Sequence, residues 1–147
     1  MDETAYRSTR TAVAGPACVF ARALLARRCD CALAQRHALA ERETVGCRSA
    51  VARTNCATLL GMLRERSAFA LKEGHGDAPL PHALAMRLQC GGLAGLAQAV
   101  GAGDARDVHA LVAAAQSRYG ELSGLPWPDV VAAVAAWQGR PRRGDDR

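Results

Sequence analysis

The residues of this 147-residue chain with the richest chemistry are six cysteines, Cys18, Cys29, Cys31, Cys47, Cys56 and Cys90. Thiols at such spacings can build a disulfide framework, hold a metal, or act as redox groups. A disulfide framework is the weakest of these, because the chain reads as intracellular and a reducing compartment keeps thiols free. Metal and redox chemistry come next. The pair Cys29-Asp30-Cys31 falls where one helix should stop and the next should start. Inside a helix two residues that close point about 200° apart, but at a junction both sulfurs can turn to one ion or one cluster. Cys47 follows Gly46 and precedes Ser49, a residue suited to cap a helix. Its thiol therefore sits near a helix amino end, where the dipole and the neighbouring Arg48 favour the thiolate that ligates iron or zinc. Arg28 gives the same support beside Cys29.

Two distances set the terms for a shared site. A second helix of about fourteen residues between Cys31 and Cys47 would part them by roughly 20 Å unless it is bent or broken. Cys56 lies about 10 Å along the next helix from its start. A cluster several atoms wide tolerates that spread, whereas one zinc ion holds its sulfurs at about 2.3 Å. An iron–sulfur cluster thus ranks above zinc, with Cys29, Cys31, Cys47 and Cys56 as ligands and Cys90, before Gly91-Gly92, as a reserve ligand. The plainer reading treats these cysteines as small buried apolar residues, and it fits Cys18 best, on an apolar helical stripe.

Other candidates are weaker. His82, Met86 and Cys90 fall at i, i+4 and i+8 on one helical face, as a soft-metal or haem site would require, but a core-filling Met86 and an exposed His82 are the ordinary outcome. His37, His75 and His109 have no carboxylate or nucleophile at a readable spacing. Glu41 and Glu43 face different ways on a helix, which does not support paired-carboxylate catalysis. There is no nucleophile elbow, phosphate loop, zinc-protease helix or dinucleotide fingerprint, so no enzyme is indicated.

The elements that must position the cysteines read as helices throughout. Gly15-Pro16 introduces a helix over 17–28; Asp30 caps one to about Thr44; Ser49 caps a longer one to about Lys72, with Val51, Ala52, Cys56, Leu59, Leu60, Leu63 and Phe69 as its buried stripe. Gly74 to Pro81 is a turn-rich linker. A fourth helix from Pro81 contains Gly91, Gly92 and Gly95, which signals a kink or close packing. Helices over 105–118 and 129–138 follow. The expectation is an all-α, single-domain bundle or orthogonal array of five to six helices, with a flexible segment at 1–12, the domain at 13–139 and a disordered tail at 140–147.

Composition limits the rest. Of the apolar residues 32 are alanine, isoleucine is absent and 35 are bulky, so the core is thin. Ligation of a metal, or dimerisation, would supply the missing folding energy. Aromatic content of 4% gives no stacking platform for single-stranded nucleic acid. The net charge of +5 lies wholly in residues 1–73, but without a recognition motif it points to an acidic protein partner rather than to nucleic acid. Arg22, Arg27 and Arg28 interrupt the one early apolar run, so neither a membrane span nor a cleaved leader is expected, and the location reads as cytoplasmic. The function these features favour is an iron–sulfur protein for electron transfer, redox sensing or cluster delivery. The alternatives are a cofactor-free interaction or regulatory module and a thiol-based redox sensor.

Overall fold

The computed structural model describes residues 2–14, 16–73 and 78–139. The tail from Arg140, and the glycine-rich part of the linker with His75, lie outside them. The longest element is α3 (Ala50–Leu71), which runs for about 33 Å at helical rise. Ser49 begins it, its hydroxyl accepting a hydrogen bond from the Ala52 amide at 3.1 Å. Lys72 ends it with a left-handed turn at φ 57°. Its buried face is Ala52, Leu59, Leu63, Ser67, Ala68 and Leu71, whereas Val51 and Phe69, expected on that stripe, are exposed.

A helix in three parts meets α3 at its middle: α4 (His82–Met86), a π-helical turn (Arg87–Gly91) that packs on α3, and α5 (Gly92–Ala99). The glycines here serve close packing. A Cβ on Gly91 would stand 2.7 Å from the Val134 backbone, and one on Gly95 would stand 3.0 Å from the Val130 backbone. Both partners lie on α7 (Trp127–Ala136), and α6 (Val108–Tyr119) closes the group. Phe20, Leu24, Leu59, Leu63, Leu96, Val130 and Val134 fill the middle, none more than 1% exposed. Burial of that kind supplies most of the driving force, at about 1.5–3 kcal/mol for a large side chain.

The all-α expectation is overturned in the segment expected as the second helix. It is an antiparallel hairpin, β1 (Ala34–Leu39) and β2 (Arg42–Cys47), so the fold is mixed α/β, though mainly helical. The helical stripe there offered one bulky apolar residue, Leu33, plus His37 and Ala40. Thr44 and Val45 are β-branched and suit a strand. In the hairpin Thr44, Val45 and Gly46 are all buried. The two-residue turn is Ala40-Glu41, both at positive φ (51° and 66°), the conformation that matches the twist of paired strands. Glu43 anchors the hairpin by accepting from Arg27 and Arg36, each at 3.1 Å.

The first helix expected, over 17–28, is reduced to α2 (Ala21–Leu25). Residues Glu3–Ala14, which overlap the segment 1–12 read as a flexible start, form α1, which lies on the hairpin. Tyr6 is buried there beneath the Arg42 guanidinium, 3.5 Å from the ring centroid.

Candidate functional site

Residues 16–20, ahead of α2, do not join a helix. Ala17 forms an antiparallel bridge with Gly46, on the edge of β2 away from β1. The Cys18 amide donates to the Val45 carbonyl at 3.0 Å, and the Cys47 amide donates to the Pro16 carbonyl at 3.3 Å. Cys18 is thereby held beside the end of β2, where Cys47 stands.

Cys31 reaches the same place by another route. The Asp30 amide donates to the Arg106 carbonyl at 2.9 Å, and the Asp30 carbonyl accepts from the Val108 amide at 2.8 Å. One oxygen of Asp107 accepts from the Ala32 amide at 2.8 Å and the other caps α6 by accepting from the Ala110 amide at 2.9 Å. This single carboxylate therefore fastens the Cys31 segment to the start of α6. Cys56 comes from the second turn of α3. The Arg53 side chain, one turn earlier, ties that helix to the Cys18 segment by donating from Nε to the Ala17 carbonyl at 2.7 Å.

Four separate segments thus bring Cys18, Cys31, Cys47 and Cys56 around one cavity of about 20 Å³. Its other walls are apolar, from Val19, Leu33, Ala52 and Val108, with Arg53 and His109 at its edges. All four thiols are half-buried and free of disulfide bonds. The volume admits about one water molecule. Among the described residues no three Cys, His, Asp or Glu side chains are placed to hold a single metal ion.

The electrostatics reflect that crowding. Burial pushes the Cys56 thiol up to about 12, with further upward pressure from Cys18, Cys31 and Cys47. Burial also raises Cys18, and Cys31 and Cys47 add to the rise, while the Phe20 amide and Arg53 oppose it. Proximity of thiols makes each anion costly for its neighbours. The Cys47 thiol donates to the Ser49 carbonyl at 3.2 Å.

The residues singled out in the sequence therefore divide. Cys31, Cys47 and Cys56 line the cavity together. Cys29, 5% exposed, instead lines a second cleft with Cys90. Arg28 lies at that second cleft, and exposed Arg48 lines neither. Cys18, read as a helical core residue, faces the other three thiols, and Arg53 is the cation beside them. The helical face His82, Met86 and Cys90 does not persist, since the π turn intervenes: His82 is exposed and bonds Arg22 at 2.8 Å, while Met86 and Cys90 are buried. Pro16, read in the sequence as the start of a helix, is equally a residue that cannot continue a helix from its N-terminal side, and that is the local feature compatible with an extended start at Cys18. No protein-family profile, curated protein or solved structure matches this chain.

Proposed function

We propose that Cys18, Cys31, Cys47 and Cys56 hold an iron–sulfur cluster, and that the protein transfers electrons or senses redox state. The observation that carries this reading is the convergence of four cysteines, from four segments far apart in sequence, on one apolar cavity. Packing alone gives no reason for four sulfurs to meet, since any small apolar residue would fill that space.

The donor set suits the group. Four thiolates complete the protein ligation of common clusters, and apolar walls with few waters tune their potentials. Burial and the neighbouring thiols hold Cys18 and Cys56 in their neutral form, a cost that a cationic iron core would offset. Among the described residues no three Cys, His, Asp or Glu side chains are placed for a single ion, which weighs against a lone zinc ion. At its present volume of about 20 Å³ the cavity must widen to take a cluster. Full cysteine ligation leaves no iron open to substrate, which favours electron transfer or sensing over cluster delivery. The excess positive charge of residues 1–73 suits an acidic redox partner.

When bound, the cluster would supply one-electron chemistry. The chain would hold it, shield it from water and set its charge through Arg53. Purification without oxygen, followed by visible absorption and by iron and sulfide analysis, tests this reading. A coloured protein with iron and sulfide in equal amounts supports it; a colourless, iron-free protein after anaerobic reconstitution overturns it. A second reading is favoured by the small volume of the cavity: free thiols that line one space can form a reversible disulfide under oxidant. In that case thiol titration falls by two per chain after mild oxidation, and no iron is bound.

A further inference from the structure

The Cys29–Cys31 segment borders two cavities, and the second is much the larger. It is a cleft of about 380 Å³, lying between the chain after α2, the π turn with α5, and the loop before α6. That volume falls within the range of small-molecule sites. Its floor is apolar or weakly polar, with Leu93, Ala97, Leu111 and the buried thiols of Cys29 and Cys90.

Among the described residues, the charged groups at the cleft are three guanidiniums, of Arg27, Arg28 and Arg106, against one carboxylate, of Asp104. Arg27 is paired with Glu43, but Glu43 also serves Arg36, so one carboxylate is shared between two cations. Arg28 donates to a neutral acceptor, the Gly139 carbonyl, and lies 5.9 Å from the centroid of the Trp137 ring. Among the described residues neither Arg28 nor Arg106 is paired with a carboxylate. Among the described residues the cleft therefore combines an excess of positive charge with an apolar floor and one side of an indole.

We propose that this cleft binds a small organic anion, with a phosphate or carboxylate head at Arg106 and Arg28 and a compact apolar body on Leu93, Ala97 and Trp137. Guanidinium groups suit such heads because their planar donors match two oxygens at once. The buried thiols at the floor, neutral under ordinary conditions, add polarisable apolar surface. This binding does not depend on the cluster reading, since none of the four cavity thiols contributes to the cleft.

Isothermal titration calorimetry with phenyl phosphate and with benzoate tests the proposal and distinguishes the two head groups. Inorganic phosphate and phenol serve as the separate halves of the ligand. Phenyl phosphate or benzoate should bind at about 1 mM or tighter, with each half weaker by about tenfold or more. Arg106→Gln should weaken binding by about tenfold, the loss of one charge-assisted contact, while leaving the thermal transition unchanged. Trp137→Phe should abolish the fluorescence change on binding but keep the heat. Cys18→Ala should bind the anion as the natural protein does, even where it fails to bind iron. Absence of heat with both organic anions up to about 10 mM, a range reaching well beyond the weakest affinity expected, would overturn the proposal. Unchanged affinity in both Arg106→Gln and Arg28→Gln would overturn it as well.

Discussion

Replacing Asp107 with alanine removes two interactions of different kind at once. Oδ1 caps α6 through the Ala110 amide at 2.9 Å, and Oδ2 accepts from the Ala32 amide at 2.8 Å. Loss of a cap costs about 1 kcal/mol, and loss of a hydrogen bond to a charged group costs about 1.5–3 kcal/mol. Asp107 is half-buried, so solvent repays part of the second cost, and a total of about 2–3 kcal/mol is expected. For a chain of this size that lowers the thermal midpoint by roughly 4–12 °C. Asp107→Asn keeps one acceptor oxygen and should fall about midway, because its amide nitrogen cannot accept from the second amide. Urea unfolding followed by circular dichroism gives the free energies directly, with Asp104→Asn, whose exposed side chain makes no hydrogen bond among the described residues, as the reference. Because Ala32 adjoins Cys31, iron loading should fall in the same order: natural protein, Asn variant, Ala variant. A loss under about 0.5 kcal/mol in Asp107→Ala, within the range of ordinary surface substitutions, would refute the view that this carboxylate fastens the Cys31 segment.

Three further expectations test the frame around the site. Ala40→Asn with Glu41→Gly should stabilise the protein by about 1–2 kcal/mol in urea titrations, since both positions have positive φ and the new residues favour it. Gly91→Ala should destabilise by about 2–3 kcal/mol in the same assay, because the new methyl stands 2.7 Å from the Val134 backbone, which cannot rotate away. The third concerns alkaline pH in the metal-free protein. Burial, then Cys90, Cys18, Asp30 and Cys31, push the Cys29 thiol from 9.0 up to about 12. The folded state thus holds this proton more tightly than the unfolded chain, so its contribution is intact below pH 9 and declines as pH rises from there toward 12. The slope reaches about 1.4 kcal/mol per pH unit for one thiol. Cys29→Ala should lose stability less steeply than the natural protein between pH 9 and 11, and parallel curves would contradict this.

The sequence carried the long helix, its Ser49 cap and the packing role of Gly91, Gly92 and Gly95. It did not carry the hairpin, because Ala40-Glu41 lacks the glycine or asparagine that announces a two-residue turn, and Ala34–Leu39 contains no β-branched residue. That one misreading placed Cys47 roughly 20 Å from Cys31, an estimate that rests on helical rise. Folding the segment back on itself pairs Ala34 with Cys47 and removes the obstacle. Cys18 was hidden for a related reason. Its position depends on a bridge to Gly46, some thirty residues away, and local periodicity holds no information about such a pairing. That contact brings Cys18 to the cavity, while Cys29 faces the second cleft.

The most direct measurement is therefore ligand by ligand. The natural protein, Cys18→Ala and Cys29→Ala are reconstituted without oxygen using ferrous iron and sulfide, and bound iron, sulfide and visible absorption are determined for each. If Cys18, Cys31, Cys47 and Cys56 hold the cluster, Cys29→Ala retains iron and colour close to those of the natural protein while Cys18→Ala loses most of both. Retention by Cys18→Ala with loss by Cys29→Ala, or no iron in any of the three, would contradict the assignment of the four-thiol cavity.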